Sequence, residues 1–286
     1  MRPAYLTELS INHFVDSALE EDIGEGDHSS LGSIPDNHDT KANLLIKDDG
    51  ILAGVELAQM IFKRFDPQLK VDTFLRDGTS IKKGDVAFTV EGKAQSILST
   101  ERLVLNCMQR MSAIATKTHK LTERIKHTRA RLMDTRKTTP NFRLPEKWAV
   151  HIGGGLNHRY ALYDMIMLKD NHVDVAGGVT QAVSRTRAYM KSKGKALQIE
   201  VETRTLEEVK QALAVEVDVI MLDNMSLDLV RQAVILVNGR CKLEASGGIT
   251  EANLVPVAET GVDYISMGAL THSVQSLDLS LKIVKN

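Results

Sequence analysis

Cysteine is scarce: Cys107 and Cys241 are the only two in the chain, and they are too far apart to suggest a metal-ligand spacing. A free, buried thiol is the expected state of each, as suits a reducing cytoplasm. An excess of either charge is also missing, since 36 Lys and Arg against 37 Asp and Glu leave a formal net charge of -1. No whole-molecule field attracts nucleic acid or anionic lipid, so any anion site must be a local concentration of Arg and Lys. The apolar runs are far too short to span a bilayer, which argues against a membrane protein. Met1 to Ser10 lacks the basic-then-apolar pattern of a signal peptide, and no low-complexity tract or flexible linker occurs. What remains is an ordinary globular composition, 43% hydrophobic and 26% charged. Its length suits one barrel-sized unit plus a smaller domain.

The first third mixes helix and strand. Ile11, Phe14, Val15, Ala18 and Leu19 fall at helical spacing, and a polar Gly-rich stretch follows from Asp22 to Ser30. Thr40 to Ile46, Val71 to Leu75 and Val86 to Val90 read as strands, with turn signals at Asp77-Gly78 and Lys83-Gly84-Asp85. Val55 to Phe65 reads as an amphipathic helix, completing a compact α+β domain. A long helix is expected to begin after Ser99 or Thr100, burying Val104, Met108, Met111, Ala115 and Leu121.

From Arg131 onward short apolar runs alternate with helical segments. The runs are Arg131 to Thr135, Asp164 to Leu168, Leu197 to Val201, Val217 to Leu222, Cys241 to Ala245 and Tyr264 to Met267. Val179 to Met190, Leu206 to Val215, Leu227 to Val237 and Ala252 to Thr260 carry helical periodicity between them. Such units imply parallel strands joined by crossover helices, and six of them point to a β/α barrel, an incomplete one included. A doubly wound open sheet is the alternative, because periodicity does not report closure. The tail from Leu277 to Val284 alternates strictly and is expected to pair back onto the first domain.

In parallel α/β architectures ligands bind beyond the carboxyl ends of the strands, so the residues that end each run are the informative ones. Arg136, Lys137 and Lys169 bring cations there, and His158 and Arg159 lie on the connection between the first two runs. An Arg fork holds a carboxylate or phosphate through two charge-assisted hydrogen bonds. Glu202 and Asp223 bring carboxylates that suit a hard divalent cation or sugar hydroxyls. Ser246, Gly247, Gly248 and Gly268 offer backbone N–H groups with little in the way, which suits a phosphate. Each piece has a bland reading too. Glu202 or Asp223 could cap the following helix, Ser246-Gly247-Gly248 could be a plain turn, and His172 and His272 could be satisfied loop histidines. Gly153-Gly154-Gly155 matches no dinucleotide fingerprint and reads as a tight or mobile loop, while Trp148 and Tyr160 read as packing residues. The pieces agree in location and are complementary in chemistry, and that favours one polyanion site with a sugar or metal component.

Specific motifs then follow in order: Asp134-Thr135-Arg136-Lys137-Thr138-Thr139-Pro140, Glu146-Lys147-Trp148-Ala149-Val150, Asn157-His158-Arg159 and Lys169-Asp170-Asn171-His172. After them come Glu200-Val201-Glu202, Leu222-Asp223-Asn224, Glu244-Ala245-Ser246-Gly247-Gly248-Ile249 and Gly268-Ala269-Leu270-Thr271-His272-Ser273. Upstream stand Glu20-Glu21-Asp22, Gly26-Asp27 and Thr100-Glu101-Arg102. Over nearly its whole length the chain resembles the quinolinate phosphoribosyltransferases. The resemblance implies an amino-terminal α+β sandwich over residues 1–110, joined by a strand from 275–286, and an open, incomplete β/α barrel over 111–274. It implies quinolinate and phosphoribosyl pyrophosphate (PRPP) as substrates, Mg²⁺ without an organic cofactor, and NAD biosynthesis as the setting. It further implies a cytoplasmic homodimer, or an assembly of dimers, with Arg102 contributed to the partner's site.

By position, Arg102, Arg136, His158, Arg159 and Lys169 would hold quinolinate. Lys137, Glu202 and Asp223 would engage PRPP, the two acids also holding Mg²⁺ directly or through water. Ser246, Gly247, Gly248 and Gly268 would take the 5′-phosphate, and Lys137, Lys169, Glu202 and Asp223 would carry the catalysis. The chain departs from the family at Asn141-Phe142, where Gly-Leu is usual, at Trp148 in place of Tyr, and at Ala161 in place of Gly. Those changes touch loop shape more than charge. A related phosphoribosyltransferase-like protein of molybdenum uptake is a rival that generally lacks the Lys169 to His172 run. A plain nicotinate phosphoribosyltransferase and an inactive sugar-phosphate sensor are others. The basic segment Lys117 to Lys137 suggests nucleic-acid binding only weakly, since it has no aromatic interleaving and reads as a solvated helix face.

Overall fold

A computed structural model describes residues 3–284. The chain divides into two compact units, one made of residues 1–119, 138–154 and 270–286, the other of 120–137 and 155–269.

The first unit begins with α1 (Glu8–Ile23), whose N-cap Thr7 accepts a hydrogen bond from the Ser10 N–H at 3.1 Å. α2 (His28–Ser33) follows, capped by Asp27 within the stretch expected to be loop. The strands β1 (Asp39–Ile46), β2 (Gly50–Ile51), β3 (Lys70–Thr73), β4 (Ser80–Ile81) and β5 (Val86–Lys93) surround α3 (Val55–Phe65). On β1 the period of two sends Ala42, Leu44 and Ile46 into the core. Phe62 of α3 meets Phe88 of β5 edge-on, with ring centroids 6.0 Å apart. Asp77 accepts the Val55 N–H at 2.8 Å and so serves as a distant cap for α3. The tail strand, which closes the strand numbering as β12 (Leu279–Ile283), pairs antiparallel with β1, Leu44 opposite Leu281. The expected return of the tail is thus present, and the sheet order is β12-β1-β5-β3.

α4 (Ala94–Ile125) starts earlier than its sequence suggests. Thr100 is not a cap: it is fully buried, and its hydroxyl donates back to the carbonyls of Ser96 and Ile97 inside the helix. All five residues of the expected apolar stripe are buried.

The second unit holds six parallel strands: β6 (Arg131–Met133), β7 (Ile166–Leu168), β8 (Ile199–Thr203), β9 (Val219–Asp223), β10 (Lys242–Ser246) and β11 (Tyr264–Ser266). Their order is β6-β11-β10-β9-β8-β7. Consecutive strands therefore lie side by side, and the last lies beside the first, as in a barrel. A doubly wound sheet would instead reverse direction at a switch point. Only β6 and β7 are unpaired with each other, so the barrel is open there. The connection between them carries α5 (Arg143–Ile152), which belongs to the other unit. The crossovers are α6 (Asp170–Ala176) with α7 (Val179–Ser192), then α8 (Leu206–Ala214), α9 (Leu227–Val237) and α10 (Leu254–Ala258), before α11 (Ala269–His272). No helix among the described residues is long and apolar enough to cross a membrane.

One local expectation is corrected: Cys107 is buried, but Cys241 is only half-buried; both are free. At Gly153-Gly154-Gly155 the tight reading of the loop holds: Gly153 and Gly154 form a turn that ends α5 in close contact with α4, where a Cβ on Gly153 would stand 2.5 Å from the Ala115 carbonyl oxygen and 2.8 Å from the Thr118 Cβ. Gly153→Ala should therefore cost about 1–3 kcal/mol through overpacking, read as a clear fall in thermal midpoint. An unchanged midpoint would show that the two helices can separate freely.

Candidate active site

Because the six strands are parallel, their carboxyl ends share one rim, and the second unit places its candidate residues there. Arg136 and Lys137 follow β6, Lys169 follows β7, Glu202 and Asp223 lie in the last two residues of β8 and β9, Ser246 ends β10 ahead of Gly247 and Gly248, and Gly268 follows β11. Arg102 belongs to the first unit, where it is exposed on α4.

The acidic stretch comes first. Glu202 is half-buried, and its carboxyl is held above the ordinary range chiefly by burial, then by Asp223 and Asp170, against the opposing pull of Lys169 and Arg204. Lys169 and Asp223 therefore each lie near Glu202. Neither Glu202 nor Asp223 caps a helix. Thr205 caps α8 by accepting the Glu208 N–H, and Ser226 caps α9 by accepting the Leu229 N–H. Two carboxylates from adjacent strands, neither committed to a cap, with Asp223 adding to the proton affinity of Glu202, form a donor set that fits a hard cation such as Mg²⁺.

The cationic stretch is built on the loop after β6. Asp134, fully buried, accepts the His158 N–H at 2.8 Å and the Asn157 side-chain amide at 2.7 Å. The Tyr160 and Ala161 N–H groups donate to Asp164 at 2.6 and 2.8 Å, and the Arg159 guanidinium donates to the Met165 carbonyl at 3.2 Å. The loop is thus fixed residue by residue. The Arg159 guanidinium is pushed down by burial and then by the positive charge of Arg136, while Glu200 and Asp164 pull the other way. Two guanidinium groups share one region that water only partly screens.

Behind them His158 is buried between two acids. Its Nε2 lies 2.9 Å from Glu200 and 3.4 Å from Glu244, and all three side chains are at most 5% exposed. Burial lifts the Glu200 carboxyl to about 7, with Glu244 adding to the rise and His158 opposing it. Burial disfavours charge on His158 and the two nearby carboxylates favour it, but Nδ1 accepts the Arg159 N–H at 2.8 Å, which leaves that nitrogen without a proton and the ring neutral.

At the β9–β10 corner the Asn224 N–H donates to the Ser246 carbonyl at 2.9 Å. Gly247 has φ +83°, and a Cβ there would stand 2.4 Å from the Asn224 side chain. The corner admits a bare backbone only, which keeps its N–H groups accessible to an anion.

The sequence did not single out Asp134, Glu146, Glu200 or Glu244 as functional, yet all four are buried acids that hold loops or side chains. Glu146 accepts from Arg110 at 2.9 Å and from both the N–H and hydroxyl of Thr139 at 3.1 and 3.0 Å. A signal existed. Glu200 and Glu202 sit two apart on an apolar strand, as do Glu244 and Ser246, so each pair shares a face and a rim residue has an acid below it.

An open parallel β/α barrel with cationic, acidic and glycine-lined stretches along one rim defines an enzyme of phosphorylated, polyanionic substrates. Comparison with known proteins narrows the class. Residues 114–282 match the family described as quinolinate phosphoribosyl transferase, C-terminal domain, and residues 27–112 match its N-terminal domain. A carboxylating nicotinate-nucleotide pyrophosphorylase of Oryza sativa subsp. japonica, named as chloroplastic, is 47% identical over 98% of this chain and 79% of its own. A probable carboxylating nicotinate-nucleotide pyrophosphorylase of Synechocystis is 41% identical over 97% of this chain and 94% of its own. The crystal structure of NadC from Streptococcus pyogenes superposes with a TM-score of 0.90 at 39% identity, covering 98% and 99% of the two chains. The chain belongs to the quinolinate phosphoribosyltransferase family.

The raised carboxyl of Glu202 has a consequence for stability. The folded form holds that proton more tightly than the unfolded chain, so its contribution is favourable in acid and is lost as pH rises through the carboxylate range. In metal-free buffer near neutral pH, Glu202→Gln should raise the thermal midpoint, by up to about 3 °C given partial solvent screening. The gain should vanish toward about pH 4, where the wild-type carboxyl is itself protonated. A midpoint lowered at neutral pH would show that Glu202 is not under repulsion.

Proposed function

We infer that the chain is a quinolinate phosphoribosyltransferase, joining quinolinate to the ribosyl group of PRPP and releasing pyrophosphate and CO₂ to give nicotinate mononucleotide. Family membership over both domains supports this reading. The observation that carries it is the pair Arg136 and Arg159: two neighbouring guanidinium groups, partly shielded from water, that a substrate with two adjacent carboxylates balances. Arg136, Arg159 and Lys169 are assigned to the quinolinate carboxylates, with His158 behind Arg159, and Lys137, Glu202 and Asp223 to PRPP. Ser246, Gly247, Gly248 and Gly268 are assigned to the 5′-phosphate.

Both substrates are polyanions, and they repel each other until the protein neutralises them. Arg136, Arg159 and Lys169 hold the two carboxylates and so fix the direction of the pyridine nitrogen. Mg²⁺ held by Glu202 and Asp223, directly or through water, would stabilise the departing pyrophosphate. The same two carboxylates supply fixed negative charge as positive charge grows on the ribosyl carbon. Attack by the nitrogen leaves the ring cationic. That cation stabilises the electron pair left on the adjacent ring carbon as the carboxylate leaves as CO₂, and the carbon then takes a proton from water, so the scheme uses no organic cofactor.

Arg102 is assigned to the site of a second copy, which makes the working form a homodimer or an assembly of dimers. Two free thiols fit a reducing compartment such as the cytoplasm.

Quinolinate with PRPP and Mg²⁺ should yield nicotinate mononucleotide and CO₂, and nicotinate should not replace quinolinate; turnover of nicotinate instead would overturn the reading. Lys169→Ala should lower turnover by roughly a hundredfold or more with an unchanged thermal midpoint, whereas near-normal activity would remove Lys169 from the site. Arg102→Ala and Lys169→Ala variants, each inactive, should regain about a quarter of wild-type activity when dissociated and reassociated together, because mixed dimers carry one intact site. No recovery would place Arg102 and Lys169 in the site of the same copy.

A further inference from the structure

The cluster below the rim contains more order than a buried ion pair requires. His158 is 6% exposed, and Glu200 and Glu244 are each 1% exposed. The Arg159 N–H donates to His158 Nδ1 at 2.8 Å. A ring nitrogen that accepts a hydrogen bond has a lone pair and no proton, so the imidazole proton resides on Nε2. Nε2 faces Glu200 at 2.9 Å and Glu244 at 3.4 Å. The two acids thus meet the imidazole on one side, and on the other it meets the backbone of Arg159, whose guanidinium stands beside Arg136. Asp134 fixes the His158 N–H from the other side. Both nitrogens of His158 are therefore directed at the protein.

We propose that Glu200 and Glu244 are positioning residues for the reaction, acting through a neutral His158 locked in its Nε2–H form to set the main chain, and with it the guanidinium, of Arg159. This rests on the assignment of Arg159 to a quinolinate carboxylate. On this account His158 works from behind Arg159 and not by gripping substrate itself. The arrangement parallels the carboxylate partners that orient ligating histidines at metal sites, with Arg159 in the place of the metal.

Two variants separate positioning from simple packing. Glu200→Leu fills the same space without an acceptor, and replacing a buried acid by an apolar side chain of like volume often leaves stability intact. It should raise the KM for quinolinate on the order of tenfold or more, with kcat and the KM for PRPP changed less than about threefold, the signature of lost binding at one substrate only. Glu244→Gln keeps an oxygen facing Nε2–H and should leave the KM for quinolinate near normal; Glu244→Leu should not. A folded Glu200→Leu with the wild-type KM for quinolinate overturns the proposal, because a packing role alone predicts that result.

A second measurement uses the native protein and stands apart from the activity. The ¹⁵N ring signals of His158, identified by their loss in His158→Gln, should show Nδ1 unprotonated and Nε2 protonated at neutral pH, before and after exhaustive chelation. An imidazolium, with both nitrogens protonated, overturns the tautomer lock. So does stoichiometric metal removed by the chelator with a change in those signals, which makes the cluster a metal site. If quinolinate is not turned over at all, the functional reading fails while the ring signals still decide the tautomer.

Discussion

Like charges held close together are the constraint around which the barrel is organised. Arg136 stands against Arg159, and Glu202 against Asp223 and Asp170, each set half-removed from water. No folding advantage comes from either arrangement, since repulsion in a poorly screened region opposes compaction. The scaffold bears that cost through the parallel sheet, which brings six strand ends to one rim, and through loops whose backbone donors are occupied. A polyanion with its counter-cation relieves both repulsions at once. Binding and charge complementarity are in that sense the same event.

Support for the cationic side reaches down into the barrel. Asp134 pins the loop after β6, and the Glu200–His158–Glu244 cluster holds the adjacent backbone. These acids are expensive to bury; Asp134 is satisfied by the His158 and Asn157 N–H groups, while Glu200 and Glu244 are offset by the His158 ring between them. Glu146 has a similar place in the other unit, where it binds Arg110 and the Thr139 turn. The family likeness over both domains fits this division, in which one set of residues meets the substrate and a second set holds the first in place.

Much of the fold was legible because periodicity reports burial directly. All six parallel strands, the tail pairing Leu44 with Leu281, and the helices Val55–Phe65 and Leu227–Val237 lie where their patterns place them. The start of α4 was hidden because Thr100, a good cap by composition, bonds back to its own helix instead. Openness of the barrel was invisible to pattern reading, since it depends on which edge strands fail to meet. The rim residues could be found from strand ends plus family motifs. His158 was legible as part of a motif, but its burial between two acids was not, because only the register of β8 and β10 brings Glu200 and Glu244 to it.

If Arg136 and Arg159 recognise two adjacent carboxylates, an unreactive mimic of quinolinate should bind through the same pair. Phthalate has the paired carboxylates of quinolinate without the ring nitrogen, and benzoate has one carboxylate. Calorimetric titration of each into the protein should show phthalate binding at least about tenfold more tightly, with the preference abolished in Arg159→Gln. Equal affinity for the two, or a preference that survives loss of Arg159, would contradict the account.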